Sequence, residues 1–180
     1  TFLGNAVLNG IYAIGNGIKG LIATGYQYDK EQQTMIASWR TLTGSAAEGQ
    51  KMVNMTNQLA ISAQNATSMV NDLNQRFYAV TSNADKTREL SKSVLTLQDA
   101  FHASDAAIEN FSTQWAQMVG NGKASAQDML SIQNVFPKFR QELLKYEQQI
   151  HHSKNMTMAD LNAMMSAGKI SSNDMNTVLI

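Results

Sequence analysis

Hydrophobic positions along the 180-residue chain recur with helical spacing almost throughout. Leu3, Val7, Ile11, Ile14, Ile18 and Ile22 follow one another at steps of four and three, the stripe of one helix face. A polar, linker-like stretch from Gln27 to Gln33 leads to Met35, Ile36 and Trp39, and Gly44 stops that pattern. Ser45-Ala46-Ala47-Glu48 has the form of a capping box and opens a run carrying Met52, Met55 and Leu59. Further runs place Met69, Leu73, Phe77 and Val80 on one face, then Leu90, Val94, Leu97 and Phe101, then Ile108, Phe111, Trp115 and Met118. Shorter runs hold Leu130, Ile132 and Val135, and then Phe139, Leu143, Tyr146 and Ile150. A polar break at 151–155 precedes a last pair of short helices opened by Thr157. No stretch alternates apolar and polar residues between turn signals, as a strand would. The expected fold class is all-α, with a long or broken N-terminal helix and then a compact array of short capped helices. The expected division is a Gly-rich apolar helical segment over 1–35 and a helical array over 36–180.

One phrase occurs twice. Gly122-Lys123-Ala124-Ser125-Ala126-Gln127-Asp128-Met129 returns as Gly168-Lys169-Ile170-Ser171-Ser172-Asn173-Asp174-Met175. Glycine supplies the left-handed residue that closes a helix. Serine then serves as N-cap, and aspartate three positions on lies in the first turn, where negative charge is favoured. Both copies therefore read as helix joints. Pro137 is placed to open another helix, because its missing N–H costs nothing at the first helical position. Trp39, Phe77, Phe111 and Trp115 fall at core-facing positions.

The repeated phrase also looks like the back half of a calcium-binding loop. Aligned that way, the early ligand positions are Gln117, Val119 and Asn121 in one copy and Ala163, Met165 and Ala167 in the other. Alanine and methionine offer a hard cation no oxygen donor, so no metal site is expected there. The adjacent His151 and His152 would point apart on a helix and read as a polar turn. Acidic side chains such as Glu142 and Glu147 look like parts of solvated faces, mixed with Lys138, Arg140 and Lys145. No serine sits in a strained glycine elbow, and Gly120-x-Gly122-Lys123 lacks the earlier glycine of a phosphate-binding loop. Neither an enzyme nor a cofactor is expected.

Composition narrows the rest. Fourteen basic residues balance fourteen acidic ones, without a basic patch, so sequence-specific nucleic-acid binding is not expected. There is no cysteine, hence no disulfide framework and no thiolate chemistry. Eleven methionines favour a soft, adaptable interior. Residues 1–25 hold six of the eleven glycines and one charge, Lys19. Each glycine weakens a helix by about 1 kcal/mol relative to alanine. This stripe is therefore expected to lean on a partner surface, with host membrane contact as an alternative. The sequence opens at Thr1 without an initiator methionine and closes within an apolar pattern at Ile180, which reads as a fragment of something longer.

The order of motifs carries more than any one of them. Trp39-Arg40-Thr41-Leu42-Thr43-Gly44-Ser45 is followed by Asn57-Gln58-Leu59-Ala60, Phe77-Tyr78-Ala79 and Gln114-Trp115-Ala116-Gln117-Met118. Then come the first glycine–lysine joint, Phe136-Pro137, Leu161-Asn162-Ala163-Met164-Met165 and the second joint. Over roughly 36–180 this series resembles the tape measure domain of tail tape measure proteins from long-tailed bacteriophages and prophages. The Gly-rich opening departs from many relatives. The resemblance implies a structural role: a helical protein in the tail lumen, present in host cytoplasm during assembly, that sets tail length and is expelled before DNA delivery. It implies tube subunits, the tail initiator or tip and an assembly chaperone as partners, and self-association in the tail. A helix advances 1.5 Å per residue, so even 180 helical residues would span only about 270 Å. Short capped helices cannot be that ruler, so this chain reads as a compact module on a longer one. The alternative is a membrane-active helical module, a toxin or translocation domain, suggested by the apolar start.

Overall fold

The computed structural model describes residues 18–180, with side chains from 28 onward. The stripe residues Leu3, Val7, Ile11 and Ile14 lie outside the described residues; Ile18 and Ile22 fall on described helix backbone, but their side chains lie outside the description. The described chain is all-α. Its helices are α1 (Ile18–Thr43), α2 (Ala46–Ala63), α3 (Thr67–Thr81), α4 (Ala84–Phe101), α5 (Asp105–Asn121), α6 (Ala126–Val135), α7 (Phe139–Ile150), α8 (Met158–Ser166) and α9 (Ser172–Leu179). The chain divides into two compact units, one up to Val53 and one from Asn54 to Ile180.

In the first unit, α1 runs unbroken through residues 27–33, so the stretch read as linker-like is helical. Its Gln, Lys and Glu residues are good helix formers, and nothing there breaks the backbone ladder. Met35 and Trp39 are buried, as are Met52 and Val53. Gly44 takes the left-handed conformation at φ 66° and closes α1. Ser45 Oγ accepts the Glu48 N–H at 3.3 Å, while the Ser45 N–H goes to Thr43 Oγ1 at 3.3 Å. The cap is there, but the N–H expected to complete the box is directed to threonine.

In the second unit, α3 packs on α4 and α5, α6 on α5, and the short helices α7 to α9 close around them. The core runs from Ala60 through Leu73, Phe77, Leu90 and Val94 to Ile108, Trp115, Ile132, Leu143, Leu161 and Leu179. Burial follows the predicted stripes with a shift of phase at their ends. Phe101, Leu130 and Ile150, expected on core faces, are exposed. Each lies in the last turn or on the outer side of its helix, where periodicity from a few residues fixes the facing side poorly. Val70 and Met129 fill the core positions that neighbouring residues were expected to take.

Sharp ends make this packing possible. Asn83, Ser104, Ser125, Thr157 and Ser171 cap α4, α5, α6, α8 and α9, each accepting a backbone N–H three residues on. At the other ends a recurrent closure appears. The N–H groups of Asn65, Ala103, Ser153 and Lys169 reach back five residues to Ala60, Gln98, Gln148 and Met164. The residue before each donor, Gln64, His102, His152 or Gly168, is left-handed, the geometry of a Schellman ending.

Candidate functional site: the paired glycine–lysine joints

The two copies of the repeated phrase meet in space. Gly122 closes α5 at φ 74°, and Gly168 closes α8 at φ 65°. Each then leads through one extended step into a serine N-cap. Between those steps the chains form an antiparallel bridge, Lys123 opposite Ser171. Ala124 N–H donates to Ile170 C=O at 3.0 Å, and Ser172 N–H donates to Gly122 C=O at 3.1 Å. In this register Ala124 comes opposite Ile170, the third position of each copy, and both are buried. Both side chains belong to the apolar core of this unit, so the joint is anchored from below by burial.

Both serines complete a reciprocal capping box. Ser125 Oγ accepts the Asp128 N–H at 3.2 Å, and Asp128 Oδ2 accepts the Ser125 N–H at 2.8 Å. Ser171 and Asp174 repeat this at 3.1 and 2.9 Å. Thr157 and Asp160 form a third box at the start of α8, and these bonds hold the Asp160 carboxyl below its ordinary value of 3.8. The exposed Lys123 side chain crosses the other joint: a Cβ on Gly168 would lie 3.2 Å from its Cδ and Nζ. Lys169 is also exposed. An open groove of about 520 Å³ runs between the joints, lined by Asn121, Lys123, Gln127, Asp128, Met165 and Ser166.

Pro137, expected at the first helical position, stands two residues before it. Lys138 is the cap residue of α7, so Pro137 occupies the turn before the helix. Phe139 N–H donates to Phe136 C=O at 3.0 Å, making a turn with proline at its second position, where its fixed φ belongs. The turn delivers two rings to one cluster. Phe136 meets Phe111 edge-on at 4.9 Å, and Phe139 meets Trp115 edge-on at 5.6 Å. Of the other expected core aromatics, Phe77 and Trp39 are fully buried, Trp39 in the first unit.

One carboxylate departs from its sequence reading. Glu142 is exposed and paired with Lys145 at 2.8 Å, as a solvated face requires. Glu147 is buried, its side chain only 1% exposed. One of its oxygens meets His151 Nε2 at 3.2 Å, and the other has no partner. Burial, and next the field of Asp174, raise its carboxyl above the ordinary 4.5, while His151 acts the other way. Its spacing carried a signal that the sequence reading passed over: Glu147 follows Phe139 and Leu143 at steps of four, on the face that the helix buries. His151 and His152 lie at the turn closing α7. Among the described residues no three His, Cys, Asp or Glu side chains stand together as a metal site. Among the same residues no helix is long and apolar enough to cross a membrane.

These features define a packing module: capped helices, interlocked joints and an aromatic cluster. The family model described as tape measure protein matches residues 23–180, and the chain belongs to that family. It is thereby a structural protein of the phage tail, associated with other tail components. No curated protein and no solved structure matches the chain.

Proposed function

We propose that this chain is a folded module of a phage tail tape measure protein, whose parent polypeptide sets tail length during assembly and leaves the tail before DNA delivery. The family match carries the reading, since it spans nearly all the described residues. The helix lengths support a modular rather than a measuring role. The longest described helix has 26 residues and spans about 39 Å, and the others are shorter. The length-setting helices would then belong to other segments of the parent. The module is the part that docks, to tube subunits, the tail initiator or an assembly chaperone. Its N-terminal stripe is the docking face, its joints hold the helical array in shape, and it works in the tail lumen after assembly in the cytoplasm. The role is structural, without catalysis.

In-frame removal of residues 54–180 from the parent tests this. The expected result is loss of tails, or tails of irregular length, with the parent still synthesised. Tails of normal number and length would overturn the proposal. Replacing Ile14 and Ile18 by aspartate tests the docking face separately. Assembly should fail while the 180-residue chain keeps its helicity, and normal tails from that variant would remove the stripe from the scheme.

A further inference from the structure

The C-terminal helix α9 packs on α7, α4 and α5. Met175 and Leu179 are buried beneath it. Asn176 accepts from the Trp115 indole on α5, and Asp174 accepts from the Tyr146 hydroxyl on α7 at 3.3 Å. At its start stand the Ser171 capping box and the two backbone bonds of the joint. Glu147, the neighbour of Tyr146, is buried close enough to Asp174 to feel its field. Asp174 caps α9 as an acceptor: its Oδ2 takes hydrogen bonds from both Ser171 N–H and Ser171 Oγ–H. An ionised Glu147 therefore sets a buried negative charge near the half-buried Asp174 carboxylate that caps α9.

The compensation available is small. On α7 itself, His151 reaches one Glu147 oxygen, but its side chain is 51% exposed. Arg140, two turns earlier, donates to Asn162 on α8, and Lys145 is taken by Glu142. From α6 and α8 come Asp128 and Asp160, both acids and both committed to their own caps. Lys154 in the following turn is exposed to water. No basic group reaches the second oxygen of Glu147, which keeps no hydrogen-bond partner.

We propose that Glu147 makes α9 a pH-sensitive latch: α9 is seated while Glu147 is neutral, and is loosened, with the Lys123–Ser171 bridge, when Glu147 ionises beside Asp174. The direction follows from linkage. A carboxyl raised in the folded state binds its proton more tightly there than in the open state. The seated form is then favoured at low pH and loses ground as pH rises through the raised value. This is opposite to the usual behaviour of a salt-bridged carboxylate. The latch opens one helix and one joint and leaves the α3–α5 core in place.

Amide hydrogen exchange on the 180-residue chain tests the latch. Protection factors, which remove the intrinsic effect of pH on exchange, are compared from below the ordinary carboxyl value of 4.5 up to about pH 8. Protection at 170–179 should fall several-fold over this range, with α3 and α5 unchanged. Glu147→Gln, an isosteric change that removes only the charge, should keep α9 protected at every pH. His151→Ala should retain the fall or steepen it. Flat protection in the unmodified chain would overturn the latch. So would an unaltered fall in Glu147→Gln, or a fall that vanishes in His151→Ala.

Discussion

Trp115 on α5 donates its indole N–H to Asn176 Oδ1 on α9 at 2.9 Å, across sixty-one residues of sequence. The tryptophan is fully buried, so water cannot readily replace that acceptor. Leaving a buried donor unpaired costs about 1–3 kcal/mol. Asn176→Ala should lower unfolding stability by that amount in urea titration. A loss near zero would mean that the indole finds another partner.

The same substitution at two glycines should have opposite signs. Gly49 sits where α2 passes the backbone of α1, and an added Cβ would lie 2.9 Å from Arg40 N and 3.1 Å from Trp39 C. Backbone cannot step aside as a flexible side chain can, so Gly49→Ala should destabilise by about 1–3 kcal/mol. Gly120, in the last turn of α5, has nothing within 4 Å of the same position. Gly120→Ala should therefore gain up to about 1 kcal/mol from helix propensity. Thermal melts of both variants read the contrast directly.

Helix endings offer a second route to stability. Gln64 and His102 are left-handed at φ 54° and 52°, where a side chain is strained and glycine is not. Gln64→Gly and His102→Gly should each stabilise by about 1 kcal/mol, and additively, because the sites are separate. A loss on either change would show that the side chain contributes more than its strain.

Asp160 should titrate as a capping carboxylate. Its folded value is depressed by the bonds from Thr157, so its contribution is present above the ordinary 3.8 and is lost as pH falls through the lower folded value. Thr157→Val removes the hydroxyl that both accepts and donates in the box. The Asp160 midpoint, followed by its carboxyl carbon shift, should move up toward 3.8. An unmoved midpoint would assign the shift to the Thr157 backbone N–H, which valine keeps.

Much of this architecture was legible from residue order. Serine and threonine caps named the starts of α6, α8 and α9, because a short polar side chain followed by an acid satisfies backbone donors that have no other partner. Glycine marked the ends at 44, 122 and 168 for its conformational freedom. Endings at 64, 102 and 152 were less visible, since Gln and His carry no such signature and accept the strain under tertiary packing. The joints at 122 and 168 could be read one by one. That they pair could not, because local periodicity holds no information on which loops meet. Glu147 escaped for another reason: a carboxylate is read as solvent-facing by its charge, although its step of four from Leu143 places it on the buried face.

The bridge between Lys123 and Ser171 also has a meaning in polymer terms. It pins two points of the chain and makes everything between them a closed loop. The entropy of closing a loop grows only logarithmically with its length, about 0.6 kcal/mol for each doubling. Extra residues in that interval therefore cost the pairing little, provided that they leave the helices intact. The exposed turn at Lys154 and Asn155, between α7 and α8, meets that condition. A short epitope placed there would follow this module through tail assembly with the joints still clasped.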